Sequence, residues 1–166
     1  MATYIPNKIV RGSLVSAVTL GAVDGLLHQA LRITDNSEDE QLTQLLSVTE
    51  RQIEKAIGYM GNYEWVLTFP AGNGRYLLTI PTVKPSTLPS EWNRGTGFYY
   101  FMDGEFNEPF SIMVENEFTL NDINVLKVIQ RSMISTMYRN PDYASTQSIT
   151  INSVNASSLN QFKVDF

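Results

Sequence analysis

The chain has 166 residues, a formal charge of −5 and 43% hydrophobic residues. That is enough apolar material for a packed domain, and the balance is too acidic for a general nucleic-acid surface, which depends on clustered Lys and Arg. There is no cysteine, which excludes disulfides, zinc–thiolate centres and thiol nucleophiles.

No apolar run approaches the roughly 20 residues of a spanning helix. The segment Met1–Lys8 has no basic stretch followed by an apolar one, so no secretory signal is expected. Residues 1–18 read as extended or irregular. Thr19 is the expected N-cap of a first helix, with Val23, Leu27, Ala30 and Leu31 at helical spacing. Gly21 and Gly25 weaken that helix by roughly 1 kcal/mol each relative to Ala. His28 falls within it and reads as an ordinary half-buried polar residue. Ser37 is the expected cap of a second helix, with Glu40 at capping-box spacing. Leu42, Leu45, Leu46, Thr49, Ile53, Ala56 and Ile57 then form one apolar stripe, and Gly58 supplies the stop.

The period changes at Trp65. Trp65, Leu67 and Phe69 alternate with Val66 and Thr68, Pro70–Gly74 reads as a turn, and Tyr76, Leu78 and Ile80 alternate again, which predicts a hairpin. Residues 81–97 read as a long loop. Phe98–Met102 reads as an aromatic strand, Asp103-Gly104 as a tight turn with Glu105-Phe106 returning, and Ser111–Val114 as a fourth strand. Thr119 and Asp122 cap a third helix lined by Ile123, Leu126, Ile129, Met133, Ile134 and Met137 and ended at Asn140-Pro141. Residues 144–166 are rich in Ser, Thr and Asn, with a thin alternation at Ile149, Ile151 and Val154, and read as an arm either disordered or docked on a neighbour.

These elements predict a single α+β domain over 1–166. Its core is a small antiparallel bundle of three main helices (about 19–59 and 119–140). A β-hairpin or small antiparallel sheet lobe is inserted (about 63–117), and an extended C-terminal arm follows (about 144–166). No nucleotide loop, nucleophile elbow or zinc-protease motif occurs. The acids Asp103 and Glu105 flank a turn and read as solvated. Asp35, Asn36, Asp39 and Glu40 lack the alternating spacing and central Gly of a calcium loop. No catalytic, metal or cofactor residues are expected. A non-catalytic alternative is a binding module gripping a protein or carbohydrate through Trp65, Trp92, Tyr99, Tyr100 and Phe101.

Four short segments in order carry a resemblance: Val18-Thr19-Leu20, Leu31-Arg32-Ile33, the acidic turn Asp35–Glu40, and Ile53–Gly58 at the end of the second helix. Trp65–Pro70, Leu78–Pro81 and Met137–Pro141 extend it. The chain resembles the head-tail connector (adaptor, head-completion) proteins of tailed double-stranded DNA phages. It departs from that pattern at Gly21, Gly25, the 82–97 loop and the tail. The resemblance implies a virion protein at the head–tail interface, assembled in the host cytoplasm as a homo-oligomeric ring, usually dodecameric. That ring would bind the portal and the stopper or tail protein and extend the DNA channel without binding the passing DNA specifically. No membrane partner is expected. Glu38, Asp39 and Glu50 are then the candidate channel-facing acids. Ile149, Ile151, Val154, Leu159, Phe162 and Phe166 are the candidate contacts to portal or neighbouring subunit.

Overall fold

A computed structural model describes residues 2–96, 99–139 and 153–164. The chain forms two compact units, each assembled from separated stretches. The sheet unit comprises Met1–Val18, Gly61–Phe118 and Phe162–Phe166; the helical unit comprises Thr19–Met60 and Thr119–Gln161.

The sheet unit contains β1 (Ala2–Tyr4), β2 (Lys8–Ala17), β3 (Gly61–Phe69), β4 (Gly72–Leu78), β5 (Asn93–Arg94), β6 (Tyr100–Phe106) and β7 (Phe110–Glu115). They form a four-stranded sheet of order β1-β4-β6-β5 and a three-stranded sheet of order β2-β3-β7. All pairings are antiparallel except β1 with β4. Alternation in β3 aims Trp65, Leu67 and Phe69 inward and leaves Glu64, Val66 and Thr68 on the other face. The interior is aromatic. Phe69 meets Tyr76 edge-on at 5.7 Å and stacks on Phe110 at 5.2 Å, while Phe106 stacks on Phe110 at 4.1 Å. These rings come from both sheets and join them.

The helical unit contains α1 (Gly25–Leu31), α2 (Asp39–Ile57), α3 (Leu120–Arg139) and α4 (Ser153–Leu159). Leu27, Leu31, Leu42, Leu45, Ile134 and Met137 form its buried cluster, with Val23, Ile33, Leu46 and Tyr138 against it. The stripes predicted for the second and third helices supply most of these residues. The α3 cap forms as its spacing predicts: the Thr119 N–H donates to Asp122 Oδ2 at 3.0 Å, and the Asp122 N–H donates to Thr119 Oγ1 at 3.2 Å.

The expected three-helix bundle with a small β insertion and an extended arm is incorrect. Among the described residues seven strands in two sheets build the sheet unit, and the four-stranded sheet is mixed. The N-terminal residues, expected to be extended or irregular, are extended: they form β1 and β2, whose partners lie at Gly61 and beyond. The β2 sequence carries no alternation because almost the whole strand is exposed. Asp103-Gly104 is not a turn but the middle of β6, where Asp103 faces Arg75 and Gly104 faces Gly74 on β4. Gly72 and Gly74 belong to β4 rather than to the turn: a Cβ on Gly74 would lie 2.1 Å from the Ala2 carbonyl oxygen, so only glycine lets β1 approach. Of the stretch 144–166 expected as an extended arm, the described residues 153–164 hold α4 and a following 3-10 turn, Asn160–Phe162.

Candidate functional site

Two concavities bordered by described residues lie in the helical unit. Residues 19–24 are not helical, and Asp24, not Thr19, caps α1 by accepting from the Leu27 N–H at 2.9 Å. At its end Arg32 adopts φ 58°, a left-handed conformation uncommon outside glycine. The Arg32 N–H donates to the Gln29 carbonyl and the Ile33 N–H to the His28 carbonyl, closing the helix. Leu31 and Ile33 on either side pack into the cluster. The Leu-Arg-Ile segment is therefore a turn pinned at both ends by apolar side chains.

The acidic turn that follows is engaged with its surroundings. Asp35 accepts from the Ser37 hydroxyl at 2.7 Å and its N–H at 3.1 Å, and these bonds hold its carboxyl below the ordinary range. Ser37 is thus spent on Asp35, and α2 is preceded by Glu38, which makes no side-chain cap bond. Glu38 instead accepts a short hydrogen bond from the Tyr138 hydroxyl on α3. That carboxylate, together with partial desolvation, pushes the Tyr138 phenol above its usual value. Asp39 meets His28 Nε2 of α1 at 2.7 Å. Glu38 and Asp39, expected to face a channel, are half-buried and tie the start of α2 to α3 and α1.

Glu50 is placed differently. It lines a groove of about 640 Å³ between the segment Gly21-Ala22-Val23 and the α2 residues Thr43, Leu46, Ser47, Arg51 and Glu54. Across the same segment lies a smaller pocket of about 180 Å³ bordered by Asp24, Lys127 and Arg131 among others. Gly21, Ala22 and Leu46 line both.

Gln130 positions that dividing segment, and sequence reasoning missed it. It is fully buried on α3. Its Oε1 accepts from the Gly21 N–H at 2.9 Å, while its Nε2 donates to the Leu46 carbonyl at 3.2 Å and to Thr49 Oγ1 at 3.1 Å. A Cβ on Gly21 would sit 2.7 Å from that Oε1. The available signal was a Gln between Leu126 and Met133 on an otherwise apolar stripe, with Thr49 doing the same on α2. A polar group in such a place must be paired.

The sheet unit has a matching amide. Asn116 is buried; its Oδ1 accepts from the Tyr63 N–H at 2.8 Å and from Trp65 Nε1 at 2.6 Å, and its Nδ2 donates to the Gly61 carbonyl at 3.0 Å. Trp65 and Trp92, two members of the expected aromatic binding surface, are buried. Tyr99, Tyr100 and Phe101 are half-exposed.

Of the expected docking residues, Ile149, Ile151 and Phe166 lie outside the described residues. Val154 lies on α4. Leu159 and Phe162 are buried within the chain; Phe162 lies 6.4 Å from Phe118 in the sheet unit. Buried positions cannot contact a partner without rearrangement.

Among the described residues no group of three or more His, Cys, Asp or Glu is placed to hold a metal ion. No helix among them is long and apolar enough to cross a membrane. Comparison with models of known protein families, with curated proteins and with solved structures returns no match.

Proposed function

We propose that this chain is a non-enzymatic structural subunit of the head-tail connector kind, one copy of an adaptor ring that joins a portal to a stopper or tail and continues the DNA channel. One observation carries the reading. Three of the short segments that resemble the connector pattern occupy joints of the helical unit: Leu31-Arg32-Ile33 closes α1, the acidic turn joins α1 to α2 and α3, and Gly58 ends α2 in the left-handed region. The start of the second helix is tied to both of its neighbours through side chains. His28 and Asp39 form one of those joints, and Glu38 and Tyr138 another.

Of the three acids expected along a channel, Glu50 is the one we keep as a lumen candidate, together with Glu54 beside it, because both border the open groove. Acidic lining repels phosphate and leaves DNA free to slide. Purified protein mixed with DNA-filled, portal-bearing capsids of its own phage and imaged by electron microscopy tests the reading. A new ring of density under the portal is the expected result. Failure of well-folded protein to add density there removes the connector reading, and a ligand-dependent thermal shift would then favour the binding-module alternative.

A further inference from the structure

The third helix changes character along its length. After Asp122, which takes part in its cap, α3 carries Lys127, Arg131 and Arg139 and no acid. Lys127 and Arg131 stand four residues apart and so share one face, and like charges at that spacing repel. Both are half-buried and border the smaller pocket, of about 180 Å³. Among the described residues no acid lies within ion-pair range of either cation. Asp24 borders the same pocket, with its Oδ1 accepting from the Leu27 N–H.

The size and border of this pocket define what fits it. Small-molecule sites run to roughly 300–1,000 Å³, so a space this small takes a single side chain. Two unpaired cations call for an acid, and Asp24 on the border restricts the site to one carboxylate by repelling a second. Leu26 on α1 and Val128 on α3 border it too and are 60% and 57% exposed. A free anion gains nothing from those two side chains. A peptide segment that brings apolar atoms beside its acid covers them, in the manner of an anchor residue and its surrounding contacts.

The chain carries such a segment itself. Between Arg94 and Lys127 the sequence has no basic residue and holds the acids Asp103, Glu105, Glu108, Glu115, Glu117 and Asp122. Five of them are held in place. Asp103 is paired with Arg75, and Asp122 accepts from the Thr119 N–H. Glu105 and Glu115 sit within strand ladders, and the Glu117 N–H donates to the Thr82 carbonyl. Glu108 differs. It lies in the link 107–109 between β6 of one sheet and β7 of the other, and Asn107, Glu108 and Pro109 are all exposed. It has no ion pair.

We propose that the pocket between α1 and α3 receives Glu108 of a second copy of this chain. The incoming carboxylate lies between Lys127 and Arg131 and relieves their repulsion, and Pro109 covers Leu26 and Val128. Donor and acceptor are different surfaces, one in the sheet unit and one in the helical unit, so the contact passes head to tail from copy to copy. A heterologous contact closes into a ring when its rotation permits; closure rests on the connector reading above, whereas the contact does not.

The test uses full-length protein. Sedimentation and native mass measurements on wild type up to about 1 mM should show association that weakens as salt rises. Glu108→Gln disarms the link, and Lys127→Gln with Arg131→Gln disarms the pocket. Each should weaken association about tenfold or more, and an equimolar mixture should form a one-to-one dimer through the intact link of one and the intact pocket of the other. Glu117→Gln, at a pinned acid of the same run, should associate like wild type. Circular dichroism and thermal melting establish that the variants fold. Charge reversal is a second, independent reading: Glu108→Lys and Arg131→Glu should each lose association, and their combination in one chain should recover it. Wild type that stays monomeric, a mixture that does so, a Glu117→Gln loss as large as that of Glu108→Gln, or no recovery in the reversed combination would each overturn the proposal. Resonance shifts at Lys127 and Arg131 on adding glutamate or inorganic phosphate, in protein that never associates, would assign the pocket to a free anion instead. Density under the portal without complementation would sink this contact and keep the connector reading, and complementation without that density would do the reverse.

Discussion

The two units solve the same problem with different materials. The sheet unit closes on rings, with Phe69, Tyr76, Phe106 and Phe110 interlocked at centroid distances between 4.1 and 5.7 Å. The helical unit closes on Leu, Ile and Met. Each contains one buried amide that ties backbone from separated segments, Asn116 in the first and Gln130 in the second. Aromatic side chains join two sheets at few, large contacts, whereas aliphatic stripes spread the same task along helices. The sheet unit is therefore the more vulnerable to a single truncation, and the helical unit to loss of a joint.

Truncation of one core ring should have the largest effect. Trp65→Ala removes a fully buried indole and should cost about 3–5 kcal/mol in denaturant unfolding, more than Leu45→Ala on the helical side. The two amides come next. Asn116→Ala leaves the Tyr63 N–H, Trp65 Nε1 and the Gly61 carbonyl without this partner and should cost roughly 2–4 kcal/mol, while Gln130→Ala should cost about 1–3 kcal/mol. Equal losses at the two amides would erase the contrast. Gly21→Ala should reproduce part of the Gln130 loss, since the added methyl meets Oε1, and the double variant should fall short of the sum.

A subtler contrast lies in the phenols. Tyr76 is pushed above its ordinary value of 10.0 chiefly by burial, and Tyr138 chiefly by its bond to the Glu38 carboxylate. In both, the protonated form is favoured on folding. The associated stability is complete below about pH 10 and is lost as pH rises through the folded value. Glu38→Gln should return Tyr138 toward ordinary behaviour in an ultraviolet titration and leave Tyr76 unmoved. Movement of both would mean that the two environments are not independent. The smallest effect belongs to the exposed Arg75–Asp103 pair, bidentate at 2.8 and 3.0 Å. It holds the Asp103 carboxyl down, so its contribution is present above about pH 3.8 and fades as pH falls through the folded value. Arg75→Ala should change the midpoint of thermal unfolding only marginally at neutral pH.

What could be read in the amino-acid order follows the range of the forces. The stripes of α2 and α3, the Thr119–Asp122 cap and the inward side of β3 are local patterns and were legible. Asp103-Gly104 and Gly72–Gly74 misled because dipeptide statistics favour turns there, while a partner distant in sequence made them strand: Arg75 supplies the ion pair and Ala2 the close backbone. Thr19 and Ser37 looked like caps, but Asp24 took the first role and Asp35 drew Ser37 away from the second. Of the candidate site, Glu50 is legible as an acid on the polar face of α2, whereas Gln130 and Gly21 gain their meaning from each other across the fold.

That same long-range pairing has a consequence during synthesis. β2 ends at Ala17, while β3, its partner in the described structure, begins at Gly61 and β7 at Phe110. At translation speeds of about 5–20 residues per second, a growing chain carries the Val10–Leu14–Val15 strand for seconds before that ladder can form. Its two positive charges and absence of acids are what such a nascent segment offers to whatever it meets first, so the interval before β3 is when sister chains on one message would be most exposed to premature pairing.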